Sequence, residues 1–110
     1  MNSGIVIKYN ASQKYTTDGV SAALFKKICK KEEIPTQVFA NRSDMAGGST
    51  LGSIATTKVS IKTVDIGLAQ LAMHSACEIA GVSDATHMIN ACRVFFSTAL
   101  LCENNKITLQ

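Results

Sequence analysis

Three groups of residues in this sequence combine side-chain types and positions that could support chemistry. His74 lies at the end of a loop that follows a short, apolar, predicted strand. Neutral imidazole is the commonest metal-binding side chain. Lys8 and Tyr15 lie seven residues apart, at and just beyond the end of the first predicted strand. A glycine-rich turn occupies residues 44–50. All three groups can lie at one end of a parallel sheet, where α/β proteins bind their ligands.

Each group taken alone has a plainer interpretation. A single histidine is more often a surface or core residue than a ligand, and Lys8 alone would be a strand residue that extends its amine to solvent. The Gly47-Gly48 pair is more often a tight connection, because glycine tolerates positive φ. The turn matches neither G-x-x-x-x-G-K-[ST] nor G-x-G-x-x-G, which excludes the common nucleotide-binding loops.

The elements that position these groups alternate along the chain. Strands are predicted at residues 5–9 and 36–40 and within residues 59–66, from their β-branched and aromatic composition. Asp18 and Asp84 are predicted to cap helices, and Ser49 or Thr50 a short one. Strands that alternate with helices predict an α/β fold with a parallel or mostly parallel sheet covered by helices. The polar tail, residues 103–110, is expected to fray.

Composition favours one packed unit, residues 1–110. Hydrophobic residues make up 46% of the chain and charged residues 17%, which argues against disorder. The net charge is +3, and the only lysine cluster falls on a predicted helix next to Glu32 and Glu33. That cluster is interpreted as a solvated helix face, so no nucleic-acid partner is expected. No apolar run approaches the ~20 residues that cross a bilayer, so no membrane partner is expected either.

The four cysteines, residues 29, 77, 92 and 102, form no C-x-x-C pair. Their spacings fit neither a zinc ribbon nor a disulfide framework, which predicts a reduced, cytoplasmic environment. Cys29 and Cys92 are predicted to be small core residues. His87, in the first turn of the last predicted helix, is interpreted as an ordinary surface histidine.

Three segments together resemble the aspartyl aminopeptidase family of zinc metallopeptidases. They are residues 6–15, which include Lys8 and Tyr15; residues 42–44 with Gly47-Gly48-Ser49-Thr50-Leu51-Gly52; and residues 63–75, which end in Ala-Met-His-Ser. Their order and spacing match the family from about residue 4 to residue 96. The resemblance implies a catalytic domain that folds as a helix–sheet–helix sandwich. This chain is then the C-terminal part of that domain.

The resemblance also implies roles for individual residues. His74 aligns with a histidine that ligates one of two zinc ions, and Lys8 and Tyr15 align with residues that contact the peptide substrate. The family removes an N-terminal residue, usually Asp or Glu, from peptides and forms large homo-oligomers. Its other metal ligands and its catalytic glutamate lie upstream of the part that this chain matches.

The isolated chain is therefore expected to lack peptidase activity, because a zinc site needs three or four protein ligands. A partial sheet would leave an open edge and an apolar face, so the chain is expected to oligomerise or to need the rest of its protein. A second interpretation is a non-enzymatic module for assembly or binding. A third is an anion-binding domain that uses the Gly47-Gly48 turn and the helix after it.

Overall fold

The computed structural model describes residues 1–104 and 106–110, which contain three helices and seven strands. In chain order these are β1 (Ile5–Tyr9), α1 (Gly19–Lys31), β2 (Thr36–Ala40), α2 (Leu51–Thr56), β3 (Ile66–Gly67), β4 (Gln70–Leu71), β5 (Ile79–Ala80), α3 (Val82–Ser97), β6 (Leu100–Glu103) and β7 (Lys106–Leu109). None of the helices in these ranges combines the length and hydrophobicity needed to span a bilayer.

The unit β1–α1–β2 forms where the sequence predicts it. The two strands pair in parallel, from Ile5 opposite Thr36 to Tyr9 opposite Ala40. The helix begins with a capping box, in which the Asp18 carboxylate accepts a hydrogen bond from the Ser21 backbone N–H at 2.6 Å. In return, the Asp18 backbone N–H donates to the Ser21 hydroxyl at 3.0 Å. Two unpaired donors at the helix terminus are thereby satisfied by a strictly local pattern.

The third strand differs from its prediction in length, position and direction. β3 is two residues long and pairs antiparallel with β1, so the sheet has the order β2-β1-β3 and is only partly parallel. Residues 59–65, where most of the strand was expected, form no ladder. No described strand pairs with this segment, and its side chains Val59 and Ile61 are 56% and 62% exposed. The α/β fold class is confirmed.

Two antiparallel hairpins complete the described chain. β4 pairs with β5, and β6 pairs with β7. The second hairpin contradicts the expectation of a frayed tail. Reciprocal backbone hydrogen bonds between Ala99 and Gln110, of 3.0 and 3.3 Å, close its open end, and β7 alternates between exposed polar and partly buried apolar residues, as a half-buried strand does.

The core lies between β1, α1 and α3. Ile5 and Ile7 of β1 are fully buried, and Ala91 brings α3 against the same cluster. The other buried members are Ala22, Phe25, Cys29 and Ile34. One face of the unit has no such cover, since Phe96 and Val82 of α3 are 83% and 82% exposed.

Asp84 does not cap α3, contrary to the sequence prediction. The helix begins earlier, with Gly81 at the N-cap position, so that Asp84 lies inside the first turn. Its fully buried carboxylate instead accepts hydrogen bonds from the backbone N–H groups of Asn2, at 2.5 Å, and Gly4, at 2.8 Å. His87 is not an ordinary surface residue either. Its side chain is 27% exposed, and its Nδ1 lies 4.0 Å from Asp84 Oδ1.

The Gly4 backbone hydrogen bond is the main reason why the pKa of Asp84 lies below its usual value, with the Asn2 hydrogen bond adding to the effect. A lowered native pKa means that the stabilising contribution of this carboxylate is present at neutral pH, and that it is lost as the pH falls through that native pKa. The N-terminal segment is therefore attached to α3 by a charge that acid removes.

We expect Asp84→Asn to destabilise the fold at neutral pH, because the amide replaces a carboxylate that accepts two backbone hydrogen bonds. The difference from the unsubstituted chain should shrink as the pH falls from about 7 through the lowered native pKa of Asp84, because the carboxyl then becomes protonated and neutral like the amide. Urea denaturation over this pH range measures it. Asp44→Asn is the matched control, since among the described residues the Asp44 side chain forms only an exposed ion pair with Arg42. A difference that is constant with pH would contradict the role of the charge.

Candidate functional site

The structure brings Lys8 and Tyr15 together. Lys8 is near the end of β1, and its Nζ lies 5.9 Å from the centroid of the Tyr15 ring, within the range of a cation–π contact. Both side chains are partly exposed. An ammonium and a phenol therefore share one accessible position, and both can contact a single bound molecule.

Gly67 makes room for the Lys8 side chain. It lies on β3 opposite Val6, two residues before Lys8 on the same face of β1. A Cβ atom at Gly67 would lie 2.8 Å from Lys8 Cε and 3.0 Å from Nζ. The lysine therefore lies directly over the glycine, and a larger residue would displace its ammonium.

Asp65 connects the segments around this pair. Its Oδ2 accepts hydrogen bonds from the Thr16 backbone N–H at 2.8 Å and from the hydroxyls of Thr16 and Thr50, both at 3.0 Å. Thr16 follows Tyr15, and Thr50 precedes α2. One carboxylate oxygen thus joins the loop after β1 to the turn before α2.

The glycine-rich turn serves this connection. Thr50 occupies the N-cap position of α2, but its hydroxyl makes no capping hydrogen bond and donates to Asp65 instead. Gly52 allows the close approach, because a Cβ there would lie 2.9 Å from Thr16 Oγ1 and 3.2 Å from Asp65 Oδ2. A carboxylate beside the start of the helix repels anions, which weighs against the interpretation of this turn as an anion site.

His74 lies in the connection between β4 and β5. It is exposed, and its φ of +69° is in the left-handed region, which is uncommon for a residue other than glycine. Its backbone N–H donates to Glu78 Oε1 at 2.5 Å, and the Gln70 side-chain amide donates to Glu78 Oε2 at 3.2 Å. The Glu78 carboxylate therefore spans the hairpin connection and holds His74 in this conformation.

The described residues do not form a zinc site by themselves. They include no group of three His, Cys, Asp or Glu side chains that could hold a metal ion, whereas zinc takes three or four protein ligands. An exposed imidazole at His74 fits the role of one ligand in a site that other residues complete. The structure places Lys8 beside Tyr15, and His74 on a separate hairpin.

Asp65 and Glu78 are the residues that sequence reasoning missed. Asp65 had a detectable signal, since a carboxylate between Val64 and Ile66 in an apolar run must find hydrogen-bond donors. Glu78 had a weaker sequence signal, which is its position four residues after His74. In neither case does the sequence indicate which donors the carboxylate would find.

An open apolar cavity of about 360 Å³ lies elsewhere, between α1, α3 and residues 61–66. Its walls include Phe25, Phe95 and Phe96, whereas Lys8, Tyr15 and His74 do not line it. This apolar cavity is therefore separate from the polar residues considered above.

A family model for the Aminopeptidase I zinc metalloproteases (M18) matches residues 1–96 of this chain. The chain belongs to this family. The resemblance inferred from the motifs is therefore confirmed. The match includes the segments that carry Lys8, Tyr15 and His74.

Curated relatives of this M18 chain are considerably longer. "Probable M18 family aminopeptidase 2" of Stutzerimonas stutzeri (strain A1501) is 44% identical over 101 residues, which are 92% of this chain and 24% of the relative. The protein of the same name from Azotobacter vinelandii (strain DJ / ATCC BAA-1303) is 45% identical over 101 residues, with the same coverage. The chain thus spans about a quarter of the length of the curated relatives it matches.

Solved structures of the family share the fold. A chain in the cryo-EM structure of the Ape4 and Nbr1 complex superposes with a TM-score of 0.84 and 36% identity, over 87% of this chain and 18% of that one. The crystal structure of prApe1 gives a TM-score of 0.82 and 27% identity, over 87% of this chain and 20% of that one. The M18 chain therefore folds like one part of these larger chains.

Cysteine chemistry is disfavoured at the core of the chain. All four cysteines are free, Cys77 and Cys102 are exposed, and Cys29 is fully buried. Burial raises the pKa of the Cys29 thiol to about 11, because the interior disfavours the thiolate. Because the thiolate is the nucleophile, the Cys29 thiol has low reactivity. Cys29 is a core residue, as predicted from the sequence.

We expect iodoacetamide at about pH 8 to alkylate Cys77 and Cys102 in the folded chain and Cys29 at least about 100-fold more slowly, because little Cys29 thiolate forms at that pH. Peptide mapping by mass spectrometry measures the three rates. Urea should remove the difference and serves as the internal control. Equal rates for Cys29 and Cys77 without urea would contradict the burial of Cys29.

Proposed function

We propose that this chain is the part of a zinc-dependent aminopeptidase that supplies one metal ligand, His74, and two substrate contacts, Lys8 and Tyr15. The complete enzyme removes N-terminal, acidic residues from peptides in the cytoplasm. The observation that carries the proposal is the 5.9 Å approach of the Lys8 ammonium to the Tyr15 ring, in a chain that matches the M18 family over residues 1–96.

The two substrate contacts suit an acidic N-terminal residue. The Lys8 ammonium has three donors and a positive charge, so it pairs with the substrate's side-chain carboxylate. The Tyr15 hydroxyl donates a hydrogen bond to a carboxylate or to an oxyanion. Because both groups are partly exposed, a peptide reaches them without any opening of the core.

His74 would contribute one neutral imidazole to the metal centre, and the exposed β4–β5 connection leaves it free to do so. Two zinc ions, when bound, polarise the scissile carbonyl and lower the pKa of a bound water. The remaining ligands and the catalytic glutamate come from residues outside this chain. The role of Glu78 is to hold the His74 backbone in place, through the hydrogen bond described above.

The uncovered surfaces are consistent with a part of a larger domain. Val38 and Phe39, on the edge strand β2, are 56% and 44% exposed, and Phe96 borders the apolar cavity. Free edges and apolar patches of this kind mark interfaces. We infer that the rest of the catalytic domain covers them, and that the assembled enzyme is a homo-oligomer. A module that only assembles or binds, without catalysis, is the alternative.

The purified 110-residue chain should release no p-nitroaniline from aspartyl-p-nitroanilide with added zinc, because one histidine cannot complete the metal centre. In contrast, we expect activity from a chimera of the Azotobacter vinelandii relative in which residues of this chain replace the 101 matched residues. His74→Ala should abolish that activity, whereas His87→Ala is the matched control. Zinc-dependent activity of the chain alone would refute the partial site. A folded but inactive chimera would favour the non-enzymatic alternative.

In the same chimera, Lys8→Ala should lower kcat/KM for the aspartyl substrate by about 10- to 100-fold, the effect of losing one hydrogen bond to a charged group. The leucyl substrate should change little, because it has no carboxylate to pair. Lys58→Ala, at an exposed lysine in the turn after α2, is the matched control. An unchanged preference for Asp over Leu would rule out Lys8 as the contact for the acidic side chain.

A further inference from the structure

Asp65 makes hydrogen bonds on three sides, and two of these reach the segments that carry Lys8 and Tyr15. On the Lys8 side, the Asp65 carbonyl oxygen accepts a hydrogen bond from the Lys8 backbone N–H at 2.9 Å. That bond extends the pairing of β3 with β1 by one step beyond Ile66. The backbone of Asp65 therefore sets the position of the strand residue from which the ammonium extends.

On the Tyr15 side, Asp65 holds the two residues that follow the tyrosine. Its Oδ2 accepts from the backbone N–H and the hydroxyl of Thr16, and its backbone N–H donates to the Thr17 hydroxyl at 2.8 Å. Thr17 is only 4% exposed. Asn10 orders the first part of the same loop, because its side-chain oxygen accepts from the backbone N–H groups of Ser12 and Lys14. The residues that follow Tyr15 are held by Asp65.

The third side is the turn before α2, through the Thr50 hydroxyl. All three donors to Oδ2 are neutral, so the charge resides on the acceptor, and hydrogen bonds of this kind are about twice as strong as neutral pairs. Gly52 and Gly67 leave the necessary space on either side, at Asp65 and at Lys8. The whole arrangement is packed around one carboxylate.

We propose that Asp65 is a positioning residue, which sets the separation between the Lys8 ammonium and the Tyr15 ring and thereby the geometry of the acidic subsite. The effect of this separation on substrate preference rests on the proposed function. The separation itself does not depend on that function, so the position of Tyr15 and the substrate preference can be tested separately.

The first test uses the chain alone. It has two tyrosines, so incorporation of 3-fluorotyrosine gives two ¹⁹F resonances, and Tyr9 serves as the internal reference. Lys8→Ala should shift the Tyr15 resonance, because it removes the adjacent ammonium. In Asp65→Asn the Tyr15 resonance should move toward its position in urea and should no longer respond to Lys8→Ala. Thr50→Val, which removes one of the donors, should give a smaller change in the same direction. This milder variant keeps the test decisive if Asp65→Asn fails to fold.

Asp44→Asn is the matched control. In the described part of the chain its carboxylate bonds only to the exposed Arg42 guanidinium, so the substitution should leave Tyr15 unchanged. A Tyr15 resonance that keeps both its position and its response to Lys8→Ala in Asp65→Asn and Thr50→Val would overturn the proposal.

The second test uses the chimera and a double-mutant cycle. Asp65→Asn should lower the preference for aspartyl over leucyl substrate by about the same 10- to 100-fold as Lys8→Ala. It should lower the preference no further when Lys8 is already alanine. A purely structural defect would instead reduce turnover of both substrates in either background, which would overturn the positioning role. If the ¹⁹F response follows Asp65 but the substrate preference does not, the position of Tyr15 is set as proposed and the assignment of the subsite in the proposed function is wrong.

Discussion

Hydrogen bonds to one carboxylate hold together the part of this molecule that matters for its chemistry. The segment before β3, which ends in Asp65, shares no helix and no long ladder with the loop after β1 or with the turn before α2, and Asp65 bonds to both of them and to β1. Such segments lose conformational entropy when they become ordered, and they have little apolar burial to offset the loss. A charge-assisted acceptor in their midst supplies the compensation, provided that its donors are all in place.

The regions that could be predicted from the sequence are those in which local signals agree with the fold. β1, α1 and β2 follow from β-branched runs and a capping box, which act over a few residues. The strands β3, β4 and β5 are two residues long, so the period of their side chains carries almost no signal, and β3 in addition pairs with β1, which is distant in the chain. Asp84 illustrates the same limit: its position suits a helix cap, but the N-terminal segment provides better donors.

The candidate site shows a similar division. The position of Lys8 and Tyr15 at and just beyond the end of a strand predicted two groups at one end of the sheet, and the structure brings them together. The position of His74 in an exposed connection also agrees with the sequence pattern. The partners of the supporting carboxylates could not be predicted, because Asp65 and Glu78 accept from backbone N–H groups, which nearly all residues have, and from side-chain donors that the sequence does not single out. Their partners are determined by the path of the chain rather than by residue type.

The unpaired edge of β2 has a consequence for handling the purified chain. Its backbone N–H and C=O groups have no described strand beside them, and Val38 and Phe39 project from the same strand. A strand of this kind is a template onto which identical copies can add in register, as they do in cross-β fibrils. Aggregation of copies through this edge then limits the concentration at which the chain remains in solution. A lysine introduced on β2 would act as a gatekeeper residue that opposes this aggregation.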